Sequence, residues 1–446
     1  MCHIFENQIL MAKRVLGTKE LRAKEKSSKR RERRKQELKK IPPKELLSLL
    51  PKEMLESIAE QTGVDVQVKH LFAPMLVYLF ILAILEDEDS SLQSLTDLYN
   101  SPQFSFFSGK GGHKTAKSSL SDRLASINCE FFKNLHAYYI EALQAKYGKA
   151  LKKKDHDITR FDSTMVSLCA ALTEIGMTVG AKPKKGEGKV QIKVSLGLKG
   201  FLPKTVKVFT DQAHLSEEKA LKEAIEFSKP ENDGAITFDM GLKSRKTLQC
   251  FDNDGRFFTT RLNSPRYEVV RPHKQIKGRT HGNLCFESDE IVYLFQSGGQ
   301  DSILQHEFRL IKAVCRNGRK ANETFYFLTN IMDMTTFEIT DIYRRRWDIE
   351  VFFRFLKQYA GLRSLLSTKE NGITAVMYLR LIVGTMIWTY INVNELKEYK
   401  RAKSEFKRAV QWEIDLLIGR LIGNRTLVEA KLYLLDFQGI IKNNTT

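Results

Sequence analysis

The chain has 446 residues, 42% hydrophobic and 28% charged, enough for two or three globular domains with ample core. A formal net charge of +19 points to a polyanionic partner, nucleic acid first and an anionic membrane face second. Six scattered cysteines with no CxxC pair, and dispersed histidines with no HExxH, speak against a zinc site or a disulfide framework and fit a reducing cytoplasm.

Any metal would therefore take carboxylate ligands, hence magnesium or manganese. Residues 1–40 hold 14 Lys and Arg against 5 Glu, densest in "KSSKRRERRKQELKK". This reads as a solvated, partly disordered tail that adds salt-dependent phosphate binding. It shows no signal-peptide pattern. No uninterrupted apolar run reaches the length of about 18 residues that a membrane span needs. "LFAPMLVYLFILAIL" runs 15 residues with a proline inside and reads as a buried helix.

From about 43 to 150 the pattern is helical. "PPKELLSLLPKEMLESIAEQTG" spaces its apolar residues by three and four before a glycine stop. "TAKSSLSDRLASINCEFFKNLHAYYIEALQAKYG" gives two more segments, and Ser121 is placed to begin a helix of a helix-turn-helix. At 158 the period shifts to two. "ITRFDSTMVSL" is strand-like, and "VQIKVSLGLKG" with "LPKTVKVFT" reads as a hairpin. "SEEKALKEAIEFS" is a helix with acids in its first turn. "GAITFDMG" is a short buried strand ending in Asp239, "KSRKTLQCF" a helix and "RFFTTRLN" a strand. This order predicts a mixed α/β sheet. Residues 265–330 are strand-rich ("EIVYLF", "EFRLIKAVC", "TFYFLTN"), and the chain is helical from 335 onward.

Asp162 and Asp239 each follow a short apolar run, placing them at or just beyond strand ends, where α/β sheets collect active sites. A turn or cap role is the alternative for each. The third acid is Glu350, in "YRRRWDIEVFFRFLK". Thr335 and Glu338 form a capping-box pattern, so a helix should start near 336. On one continuous helix Tyr343, Arg346, Glu350 and Lys357 fall at about 0°, 300°, 340° and 320°, a single stripe. Arg344, Arg345 and Arg354 lie off it and suggest surface or backbone contacts. Alone, Arg346 and Glu350 would be a surface pair worth a few tenths of a kcal/mol. With two strand-end aspartates, the set suits phosphodiester chemistry on two hard cations. Asp155, Asp157, Asp211, Asp289 and Glu290 compete. Asp155 and Asp157 read as loop acids, Asp211 beside His214 as a helix cap, and Asp289 with Glu290 as the opening of a strand.

The spacing Tyr343-x2-Arg346-x3-Glu350-x6-Lys357 matches the YREK signature, and "LTNIMDMTTFEITDIYRRRWDIEVFFRFLKQ" resembles bacterial insertion-sequence transposases of the insertion-sequence-four family. "FDST" and "FDMG" resemble that family's two aspartate motifs, and the resemblance spans about 155–390. It implies a ribonuclease-H-like catalytic domain (151–264 and 331–380) with a β-strand insertion at 265–330. Flanking these are a basic tail (1–42), a helical DNA-binding region (43–150) and a helical C-terminal region (381–446).

It further implies Asp162, Asp239 and Glu350 as a metal-holding DDE triad, with two magnesium or manganese ions. Tyr343, Arg346 and Lys357 would grip DNA. The expected activity is cleavage at the ends of the chain's own element and joining of 3′ hydroxyls to target DNA, by cut-and-paste; relatives pass through a hairpin, and the sequence leaves that step open here. The expected assembly is a homodimer in a synaptic complex on double-stranded DNA in the bacterial cytoplasm, nucleoid-associated when bound, with no membrane partner. The alternatives are a non-catalytic DNA-binding derivative and a nuclease that cuts without joining.

Some relatives stack a flipped base on a tryptophan of the insertion. The three tryptophans here, Trp347, Trp388 and Trp412, lie elsewhere, leaving Phe325 or Tyr326 as substitutes or as sheet core. "FKRAVQWEIDLLIGRLIG" reads as a core helix or an intermolecular seam.

Overall fold

A computed structural model describes residues 41–421, apart from 88–89, 103, 106–112, 153–156, 169–175, 179–189, 229–233, 297–301, 319–320, 364 and 368. The basic tail, Asp155 and the last residues of "FKRAVQWEIDLLIGRLIG" lie outside the described residues.

Among the described residues, helices come first: α1 (Pro43–Leu47), α2 (Lys52–Thr62), α3 (Ala73–Glu86), α4 (Leu92–Tyr99), α5 (Lys117–Ser126) and α6 (Glu130–Lys152). Gly63 stops α2 at φ 59°, a left-handed cap that only glycine adopts without strain. Ser121 lies inside α5, whose N-cap is Ala116, so the helix starts earlier than expected. Pro74 in the first turn of α3 sits where its missing N–H costs nothing, and the helix is buried almost throughout, as its all-round apolarity requires.

The sheet strands are β1 (Ile158–Ser167), β2 (Met177–Thr178), β3 (Val190–Lys199), β4 (Leu202–Phe209), β5 (Ala235–Phe238) and β6 (Phe257–Leu262). They continue as β7 (Tyr267–Pro272), β8 (Thr280–His281), β9 (Leu284–Phe295), β10 (Ile303–Cys315) and β11 (Thr324–Thr329). Helix α7 (Glu217–Phe227) joins β4 to β5, and α8 (Arg245–Asn253) joins β5 to β6. The main order is β4-β3-β1-β5-β6-β11-β10-β9-β7. β4, β3 and β1 are antiparallel, β1, β5 and β6 are parallel, and the remaining pairs are antiparallel. The mixed α/β sheet expected from the sequence is present, and its first five strands have the arrangement of a ribonuclease-H-like fold. The strands after β6 extend the same sheet.

Asp289 does not open a strand. It lies in the middle of β9, where Arg309 on β10 grips it by two hydrogen bonds of 2.9 and 2.7 Å, both side chains wholly buried. The Thr336 hydroxyl donates to the same carboxylate, and Arg309 also donates to the Ile331 and Met334 carbonyls. A buried ion pair is tolerable only when its remaining hydrogen-bonding positions are filled in this way.

The chain closes with α9 (Thr336–Arg344), α10 (Trp347–Tyr359), α11 (Glu370–Val393) and α12 (Tyr399–Leu421). Helix α9 begins where expected, on a capping box formed by Thr335 and Glu338. Helix α11 is long and apolar enough to cross a membrane, but that stretch is entirely buried inside the protein. It packs against α3, α5, α6 and α10, making it the centre of the helical layer.

Candidate active site

Side chains alternate across a strand, so positions 158, 160, 162, 164 and 166 of β1 share one face. Phe161 and Phe238 point to the other face, into a core with Leu221 and Ile225 of α7. Asp162 and Asp239 therefore face α9 and α10. Their relative position follows from the register. Phe161 pairs with Phe238 in the last rung of the parallel β1–β5 ladder, and each aspartate is the next residue. The two acids stand side by side, Asp162 on β1 and Asp239 just past the end of β5. Asp162 is not at a strand end as expected, because β1 continues to Ser167 against β3, and only its partner β5 stops. Each aspartate accepts the next residue's backbone N–H, from Ser163 at 2.9 Å and from Met240 at 2.7 Å.

The expected single helix through Tyr343 and Lys357 is broken. Helix α9 ends at Arg344, Arg345 caps it, and α10 begins at Trp347. Within the break the backbone bonds tighten to three-residue closures, Arg346 N–H to Tyr343 and Asp348 N–H to Arg345. One continuous stripe is thus not what brings the four residues together.

Arg346 is the hub. Its guanidinium donates to Glu350, lies 3.9 Å from Asp162, and sits 5.8 Å from the centre of the Tyr343 ring. Burial works against its charge, but Tyr343, Glu350 and Asp239 outweigh this and hold its pKa above the usual arginine value. Tyr343 is pushed up by burial, and its ring packs edge-on against Phe327 of β11 at 5.6 Å. Lys357, two turns beyond Glu350 on α10, keeps to the same side of that helix. Its Nζ donates to the Thr164 hydroxyl at 2.6 Å and the Met165 carbonyl at 3.0 Å, both on β1. Burial and the nearby Arg363 charge lower the Lys357 pKa.

A cleft of about 280 Å³ opens between β1 and α10, lined by Asp162, Thr164, Glu350, Arg354, Lys357 and Arg363 among others. Arg354, expected off the functional stripe, lines it. Arg363, not singled out in the sequence, also lines it, brought there by the turn at Gly361 with φ 69°. Arg344 is on the surface, paired with Asp341 at 2.9 Å. Asp211 caps the following turn and pairs with His214 at 2.6 Å, as expected. Asp157 pairs with Lys199. Phe325 is a half-buried sheet residue under the Arg261 guanidinium at 4.4 Å, and Tyr326 faces Tyr267 at 6.5 Å.

Burial pushes the Asp162 carboxyl up to about 7, with the Ser163 N–H and Arg346 only partly opposing it. The carboxylate oxygens of Asp162, Asp239 and Glu350 are the donor type that suits a hard divalent cation. Among the described residues, no three acidic, histidine or cysteine side chains are already drawn together closely enough to hold one. Arg346 occupies the space between two of the three acids instead.

The transposase DDE domain family matches residues 153–386, just over half of the chain and all three acids. A Synechocystis protein named as a transposase for insertion sequence element IS4SA is 25% identical over 238 residues, 52% of this chain and 60% of that protein. A Sinorhizobium fredii protein named as transposase y4zB is 26% identical over 166 residues, 37% of this chain and 45% of its own. A Geobacillus stearothermophilus protein named as a transposase for element IS5377 is 34% identical over 64 residues, 14% of this chain and 17% of that protein. The chain thus spans less than two thirds of the length of each of these relatives. The family match covers the strands and helices that carry Asp162, Asp239 and Glu350, and the chain belongs to the transposase DDE domain family.

Proposed function

We propose that this protein is a DNA transposase that cuts the ends of its own insertion element and joins the freed 3′ hydroxyls to target DNA. The observation that carries this reading is the gathering of the three acids around Arg346. Asp162 on β1 and Asp239 just past the parallel strand β5 are neighbours, and Glu350 reaches the same guanidinium from α10. Asp162, Asp239 and Glu350 would hold two magnesium or manganese ions. When bound, such ions activate the attacking oxygen and stabilise the leaving one.

The chain's own residues do the rest. The Arg346 and Lys357 cations and the Tyr343 hydroxyl bind backbone phosphates and hold the scissile one in line. In the first step a water oxygen bonds to phosphorus and the 3′ oxygen leaves. In the second, that 3′ oxygen attacks a target phosphodiester and another 3′ oxygen leaves. Cut-and-paste, a synaptic homodimer on terminal inverted repeats, and action in the bacterial cytoplasm complete the reading. The basic tail and residues 43–150 form the element-end contact region, 151–264 with 331–380 the catalytic domain, 265–330 the β-rich insertion, and 381–446 the dimer or target region.

The test is cleavage and joining of a DNA fragment carrying the element's terminal repeat, with magnesium. Asp162→Asn, Asp239→Asn and Glu350→Gln should each lose roughly 10³-fold or more in rate, since metal stabilisation is worth several kcal/mol. Each should still shift the same fragment in a gel. Wild-type-like cleavage by any of the three overturns the assignment of that acid. Cleavage without joined product favours a nuclease.

A further inference from the structure

We propose that Arg160 is a positioning residue that sets where α10, and hence Glu350, stands relative to Asp162. This rests on the transposase reading of the site. Arg160 is a wholly buried arginine on β1, two residues before Asp162 and on the same face. Its Nε donates to the Arg345 carbonyl at 2.8 Å, inside the break between α9 and α10. The same Nε lies 3.4 Å from Asp348 in the first turn of α10. Its Nη1 reaches the Ile158 carbonyl of its own strand at 3.3 Å and the Gly200 carbonyl of the β3–β4 turn at 3.5 Å.

One guanidinium therefore joins the strand that carries Asp162 to the turn that launches the Glu350 helix. Arg346, the hub between those acids, is the residue directly after the carbonyl that Arg160 holds. The fork of an arginine fits this task and an ammonium does not, because several acceptors must be met in fixed directions at once. A buried guanidinium with carbonyl partners is expensive to form and rigid once formed. Reacting groups must be held to roughly half an ångström, so a loosened break would cost metal affinity and rate without removing any ligand.

The test compares wild type, Arg160→Lys and Asp348→Asn. Manganese binding is read from loss of the free-ion paramagnetic resonance signal, and amide hydrogen exchange is followed across residues 345–350. Arg160→Lys should weaken manganese binding about 10-fold, the effect typical of losing a supporting contact. It should speed exchange at 345–350 but not in α11, and leave DNA-end affinity within about twofold. Single-turnover cleavage should fall with little change in the DNA concentration giving half-maximal rate. If Arg160→Lys does not fold, Asp348→Asn decides. That carboxylate is 57% exposed, and its loss should give the same pattern in smaller measure. Manganese affinity and exchange equal to wild type in the folded variant overturn the proposal. If wild type itself binds no manganese and cuts no DNA, the transposase reading fails, and the exchange measurement alone then decides the brace.

Discussion

Lys357 donates to the hydroxyl of Thr164 at 2.6 Å, tying the end of α10 to β1 two residues beyond Asp162. Together with Arg346, which bridges Glu350 and Asp162, it clamps the helix to the strand at both ends of the cleft. The basic residues thus hold the acids in place, in addition to any grip they have on DNA.

Thr164→Val keeps the size of the side chain and removes the acceptor. The Lys357 ammonium keeps the Met165 carbonyl, so the loss should be about 0.5–1.5 kcal/mol in denaturant unfolding. Lys357→Met also removes a phosphate contact. It should lower DNA-end affinity and reduce the slope of log affinity against log salt by about 1, which Thr164→Val should not do.

Arg346→Gln removes the cation that Asp162, Asp239 and Glu350 share. The protein without metal should become less stable by about 1–3 kcal/mol, the cost of leaving charged groups without their partner. Added manganese should restore part of that loss, because it supplies the missing charge by binding the folded state alone. Denaturant midpoints with and without manganese decide this. A variant as stable as wild type without metal would show that Arg346 is not the counterion of the site.

Asp162 has a folded pKa of about 7, raised from 3.8 by burial. Between those values the native state holds a proton that the unfolded chain has released. The stability contributed by the protonated carboxyl is therefore complete below pH about 4 and is lost as pH rises toward 7. Metal-free unfolding titrations should show wild type losing stability relative to Asp162→Asn across that window. Divalent metal, which needs the ionised carboxylate, should bind more tightly over the same rise. Parallel curves for the two proteins would contradict the shift.

Asp289→Asn breaks a wholly buried ion pair and leaves Arg309 charged in the core. About 3–5 kcal/mol should be lost, far more than for an exposed pair such as Lys52 with Glu56. Because Thr336 starts α9 on the same carboxylate, exchange should also quicken at the α9 N-terminus. Thermal and denaturant unfolding of Asp289→Asn beside Lys52→Ala test the contrast.

The local pattern of the chain carried a large part of this architecture. Alternation marked β1 and the β3–β4 hairpin, and three-to-four spacing marked α2 and α6. Thr335 with Glu338 marked the start of α9 to the residue. These are short-range effects, decided by side-chain period and capping within a few positions. The spacing of Tyr343, Arg346, Glu350 and Lys357 likewise identified the residues of interest.

Tertiary structure alone decided how those residues meet. The α9–α10 break is held by Arg160, which is 185 residues away from the carbonyl it binds. No periodicity within the helix reports such a contact, or the break at Arg345 that it spans. The adjacency of Asp162 and Asp239 depends on β1 pairing in parallel with β5, a register set between distant segments by burial of Phe161 and Phe238. The reading of Asp289 as the opening of a strand fails for the same reason, because its partner Arg309 lies on another strand. Sequence determined which side chains are present and which local elements bear them. Long-range pairing and burial determined that Arg346 stands among the acids, that Arg354 and Arg363 line the cleft, and that Arg160 joins strand to helix.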